Sequence, residues 1–71
     1  MKYSVYCTEG TIGCNGELYS YVVLNYENDF RPALINSETG NVVKWLGRKC
    51  KSDVAPRRRA INAYLEAWED Y

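Results

Sequence analysis

The chain has 71 residues, 46% of them hydrophobic and 25% charged, with nine bases balancing nine acids and no histidine. That length makes one small domain, residues 1–71, whose thin core buries about 60% of the unfolded surface and leaves no room for a deep pocket of ordinary enzyme size. The longest apolar runs, such as Tyr21 to Leu24, fall far short of a membrane span, and MKYSVYCTEG is no secretory signal, so a cytoplasmic protein is expected.

The elements follow in chain order. Residues 2–7 alternate, with Tyr3, Val5 and Cys7 on one side and Lys2, Ser4 and Tyr6 on the other, as in a half-buried strand. TEGTIGCNGE, residues 8–17, reads as a long glycine-rich connection. Its glycines would let backbone amides approach an anion, but their spacing fits neither glycine-rich phosphate-binding pattern, and an irregular turn is expected. Residues 18–26 form the strongest strand; both of its faces are apolar or aromatic, which places it centrally. Asn28 and Asp29 supply a turn, and a third strand over about 31–36 has Pro32 at an edge or entry. SETGN, residues 37–41, is a short hairpin loop with Gly40 at the positive-φ position, and a strand over about 41–46 pairs back until Gly47 ends it.

Asp53 or Ser52 then caps a helix over about 54–70, with Pro56 inside its first turn. The fold class is therefore α+β: an antiparallel meander of three to four strands with one C-terminal amphipathic helix packed on one face. On a helical wheel Val54, Ile61, Leu65 and Trp68 share a narrow arc with Tyr64 beside it. This arc is expected to lie on the sheet against Val43 and Trp45, and removing the Trp68 ring to cost about 3–5 kcal/mol. Ala60, Ala63 and Ala67 make a flank of small residues on which a second helix would fit, for instance in a homodimer.

Zero net charge hides an asymmetry. The stretch Leu46 to Arg59, LGRKCKSDVAPRRR, holds six of the nine bases against one acid, Asp53. Cations in the first turn of a helix oppose its macrodipole, so Arg57, Arg58 and Arg59, joined by Arg48, Lys49 and Lys51, create high positive potential where helix amides also point outward. Nucleic-acid phosphate is the partner that suits this junction best, and an acidic protein surface is the alternative. Tyr6, Tyr19 and Tyr21 are expected together on the outer sheet face, to stack bases or to anchor a protein interface.

Catalysis is not expected. No histidine supplies a general base near neutral pH, and Glu9, Glu17, Asp29 and Glu38 sit in separate turns. Cys7, Cys14 and Cys50 show no paired close spacing for a metal, so neither metal nor cofactor is expected. In an oxidising compartment Cys7 and Cys14 would be candidates for a disulfide; Cys50, between Lys49 and Lys51, has the neighbours of a reactive thiol.

The order of a hairpin with Thr39-Gly40, then Leu46-Gly47, a basic run and a helix holding AINAYLEAW resembles the three-strand-plus-helix DNA-binding domains of phage-type integrases. The resemblance covers roughly residues 18–68 and is one of element order, without a diagnostic motif. It implies DNA read by basic side chains on the sheet, where this chain offers Arg31 and Lys44. The expected function is a small non-enzymatic binding protein whose basic strand-to-helix junction engages nucleic-acid phosphates. The alternative is a compact inhibitor or adaptor of the kind phages and mobile elements encode, gripping an acidic protein with the same arginines and exposed tyrosines.

Overall fold

A computed structural model describes residues 3–69, with the Glu69 side chain left aside. The outermost expected positions, Lys2 of the first strand and Asp70 of the helix, lie outside the described residues. Four strands, β1 (Ser4–Cys14), β2 (Glu17–Tyr26), β3 (Asp29–Asn36) and β4 (Val42–Trp45), precede one helix, α1 (Val54–Glu69). They form one antiparallel sheet in the order β1-β2-β3-β4, and α1 lies across β1, β2 and β3. The α+β meander expected from the alternation is what the chain adopts.

The first connection differs from the expected long loop. β1 runs on through Thr8–Cys14, and Asn15 and Gly16 alone make the turn, with φ of 53° and 82°. Positive φ at both central residues is the mirror-type turn that matches strand twist, and Asn-Gly is its preferred pair. This geometry also excludes the Cys7–Cys14 disulfide. Seven residues along a strand separate the two Cα atoms by roughly 20 Å, against at most about 7 Å for a bridge. All three cysteines are free thiols.

Two bulges interrupt β1, between Val5 and Cys7 and between Thr8 and Gly10. A bulge inserts an unpaired residue and re-aims its side chain. Here the extra residues are Tyr6 and Glu9, and both reach the start of α1. The Tyr6 hydroxyl donates to Asp53 Oδ2 at 3.1 Å, and Arg57 Nε donates to Glu9 Oε1 at 3.2 Å.

β2 is central, as its two apolar faces require, and Tyr21, Val22, Val23 and Leu24 are all buried. On one face Val22, Leu24, Ala33 and Ile35 form a cluster roofed by Tyr3 and Trp45, with no helix over it. The rings meet at 5.3 Å, and the Arg31 guanidinium sits 4.0 Å from the Trp45 centroid. Pro32 is fully buried within β3 rather than at an edge of the sheet. Its carbonyl accepts from Leu46 N at 3.0 Å, so its missing donor faces Leu46 on the β4 side just past the last paired residue, where the ladder is already ending.

The other face carries Tyr21, Val23 and Pro32 under α1, and the helix meets it with a different side from the one expected. Pro56 and Ala60 are fully buried and Ala63, Tyr64 and Ala67 half-buried, while Val54, Ile61, Leu65 and Trp68 are 63%, 40%, 51% and 58% exposed. Trp45, expected beneath the helix, is on the opposite face, and Val43 is exposed. Close approach explains the choice. A Cβ at Gly10 would overlap the Tyr64 ring, so that ring lies directly on the β1 backbone, and beside it the helix meets the sheet with Pro56, Ala60 and Ala63. The Ala60, Ala63 and Ala67 flank is thereby turned toward the sheet and is not the open surface a partner helix would need.

Candidate anion-binding groove

The basic junction is held in place by backbone. Leu46 N donates to Pro32 O, and Phe30 and Cys50 exchange two hydrogen bonds of 2.7 Å, so residues 46–50 run back along the first half of β3. Arg31 Nε donates to Gly47 O at 3.0 Å, tying the same segment from the side. Ser52 Oγ accepts from Val54 N at 3.2 Å, and Asp53 O accepts from Arg57 N at 3.0 Å to open the helix. Asp53 is therefore the last residue before α1, while its carboxylate serves Tyr6 instead of the helix amides.

The six expected cations divide into two groups. Lys51 pairs with Asp29 at 2.8 Å, and Arg57 pairs with Glu9 at 3.2 Å and with Asp53 at 3.9 Å. The Lys51 ammonium bonded to Asp29 holds that carboxyl below its usual range, and the partnership raises Lys51 in turn. Lys49 adds to the field lowering Asp29, which assigns it to this side. Hydrogen bonding to Glu9 likewise raises Arg57, and the bond to Asp53 raises the Tyr6 phenol.

Arg48, Arg58 and Arg59 stand on the other side of the helix and are exposed, and no ion pair engages them among the described residues. A groove of about 650 Å³ runs between α1 and β4, lined by Lys44, Leu46, Arg58, Arg59 and, toward its far end, Glu66. Arg59 also lines a second hollow of about 230 Å³ with Gly47, Arg48, Cys50 and Pro56, so the two spaces join across its side chain. A Cβ at Gly47 would stand 3.6 Å from Arg59 Cγ, which shows how closely the arginine stem lies on the junction. Four cations thus face one surface: Lys44, Arg48, Arg58 and Arg59. Such a surface attracts phosphate or carboxylate oxygens through charge-assisted hydrogen bonds, with arginine offering paired donors.

Lys44 was legible only in part. Its position opposite Leu34 puts it on the helix side of the sheet, a parity readable once β3 and β4 are paired. The partnering of Arg57 by Glu9 was not legible, because it depends on a bulge. The three tyrosines do not form a common platform. Tyr21 is buried with its ring 6.0 Å from that of Tyr64, Tyr6 packs edge-on against Phe30 at 4.9 Å, and Tyr19 donates to Glu17. Burial raises the Tyr21 phenol, and the bond to Glu17 raises that of Tyr19. Nor does the helix-free face present the cations that the integrase resemblance implies: Arg31 is engaged with Trp45 and Gly47, and Lys44 points to the groove.

Cys50 is half-buried, and its thiol lies 3.7 Å from Arg48 O. Of its two lysine neighbours, Lys51 is taken up by Asp29. Cys7 is raised above an ordinary thiol by burial and by its bond to Glu9. No helix among the described residues is long and apolar enough to cross a membrane.

Comparison of the chain with known protein families, with curated proteins and with solved structures gave no match.

Proposed function

We propose that this is a small non-enzymatic binding protein that engages nucleic-acid phosphates along the groove between α1 and β4. The observation that supports the reading is the partition of charge. Lys51 and Arg57 are neutralised by Asp29, Glu9 and Asp53, while Lys44, Arg48, Arg58 and Arg59 converge on one groove with no ion pair among the described residues. A phosphate backbone supplies a row of anions for such a strip, and binding of this kind releases counterions and weakens with salt.

The test is fluorescence anisotropy against labelled single-stranded and duplex DNA and RNA over a range of salt. Binding should fall linearly in log–log form, and Arg58→Ala with Arg59→Ala should lower the slope by about 2. Lys51→Ala, which removes a cation already paired with Asp29, should change it much less. Absence of binding at low salt would sink the reading, as would equal losses from both sets of variants.

A second reading, a compact inhibitor or adaptor that grips an acidic protein, draws on the same cations. Its expected tyrosine anchors are weakened by the burial of Tyr21. Binding of the groove to an acidic protein but to no nucleic acid would favour it.

A further inference from the structure

The groove between α1 and β4 is not uniformly cationic. Arg58, Asn62 and Glu66 stand four residues apart and all line it, so one row on the helix runs from a guanidinium through an amide to a carboxylate. Successive members are about 6 Å apart along the axis, which puts Glu66 about 12 Å from Arg58. All three residues are exposed, and the side chains of Asn62 and Glu66 make no hydrogen bond or ion pair among the described residues. Lys44 lines the same two hollows as Glu66, yet no ion pair joins them.

A carboxylate in a phosphate-binding groove constrains how the ligand lies. It repels phosphate oxygens, so the sugar-phosphate backbone is held at the arginine end by Arg48, Arg58 and Arg59. The part of a nucleotide left to reach Asn62 and Glu66 is the nucleobase. At about 650 Å³ the groove has the size of a small-molecule site, which takes a short stretch of single strand and not a duplex. Bases in a single strand have free Watson–Crick edges. Leu46 and Ala63, both half-buried, give the space an apolar floor on which a base can lie.

The two polar side chains discriminate by donor and acceptor. A carboxylate only accepts, whereas an amide both donates and accepts. Cytosine offers an amino donor at N4 followed by acceptors at N3 and O2, an order that Glu66 and then Asn62 complement. Adenine carries the same amino group beside a ring acceptor. Uracil and thymine turn a carbonyl, O4, toward the carboxylate in the same pose and leave two acceptors face to face. Resting on the nucleic-acid reading above, we propose that Glu66 and Asn62 read an amino-bearing base of a single strand, with cytosine preferred to uracil or thymine. Glu66 accepts from the amino group, and Asn62 donates to the ring acceptor beside it.

Fluorescence anisotropy with labelled oligodeoxycytidine and oligodeoxyuridine of equal length at neutral pH tests this, because the strands share a backbone and differ only at the edge of the base. The wild type should bind the cytidine strand at least about fivefold more tightly. Glu66→Gln, whose amide donates to O4 as readily as it accepts from N4, should bind the uridine strand more tightly than the wild type does and the cytidine strand no better, so that the preference disappears. Asn62→Ala should weaken the cytidine strand alone and leave its salt slope unchanged, since no phosphate contact is lost. Equal binding of both strands by the wild type overturns the base preference and leaves the groove reading standing. So does a Glu66→Gln variant that strengthens both strands equally, because the acid then acts through charge alone. Failure of the wild type to bind either strand at low salt overturns the groove reading itself, and the base preference with it.

Discussion

Gly10 is where the Tyr64 ring of α1 lies on the sheet, and the reason it is glycine is space. Its φ is not in the left-handed region, so alanine would be free to adopt the backbone there, yet a Cβ would overlap the Tyr64 ring. Gly10→Ala should therefore destabilise the fold by about 2 kcal/mol through overpacking, offset slightly by lost chain entropy in the unfolded state. Adding Tyr64→Ala should abolish most of that penalty, giving a large coupling in a denaturant-based double-mutant cycle. Equal costs of Gly10→Ala with and without the ring would show that Tyr64 is not what excludes a side chain. At the same scale, the Thr11, Ser20 and Ser37 hydroxyls form a chain, with separations of 3.1 and 2.6 Å, that satisfies the buried Ser20.

The helix shows what a wheel weighs wrongly. Ranking positions by apolar size selects Val54, Ile61, Leu65 and Trp68, but the face that docks is selected by fit, and there Pro56 and Ala60 are buried and Ala63 half-buried. Substitutions should rank accordingly. Trp68→Ala should cost about 1 kcal/mol in equilibrium unfolding, not the 3–5 kcal/mol of a core tryptophan, whereas Ala60→Leu should cost about 1–3 kcal/mol by forcing the helix off the sheet. The strands were legible because their alternation and turn residues are local signals: Gly40 does take a positive φ of 77°, and β2 is buried on both faces. Two features of β1 were not. The Asn15-Gly16 turn was hidden among neighbouring glycines, and the bulges at Tyr6 and Glu9 exist only as two residues set against one on β2. The groove was half legible for the same reason, since composition locates the cations but pairing decides which of them are free.

Across the whole molecule the perturbed protons lean to one side of the pH scale. Cys7, Tyr6, Tyr19, Tyr21, Lys51 and Arg57 all have raised pKa values, whereas Asp29 alone among the resolved shifts is lowered. A raised folded-state pKa gives stability that is complete below the unfolded value and is lost as pH climbs through the folded one. The thiol and phenols therefore withdraw stability from about pH 8.5 upward, the unfolded thiol titrating first and the phenols from about pH 10. Asp29 acts in the opposite sense, its contribution being present above about pH 4 and lost below. Urea midpoints should hold level from about pH 5 to 8 and fall beyond pH 9, with Cys7→Ala removing the earliest part of that fall. A midpoint unchanged to pH 10.5 would contradict this assignment.

The hydrogen bonds that tie residues 46–50 to β3 have one more consequence. A run so rich in lysine and arginine is what a trypsin-like protease cuts, but cleavage requires an extended, unpaired backbone, and here that backbone is already engaged with Phe30 and Pro32. Digestion at Lys49 must wait for the segment to peel away from β3. The rate of cleavage at Lys49 thus becomes a clock for local opening, and anything seated in the groove should slow it.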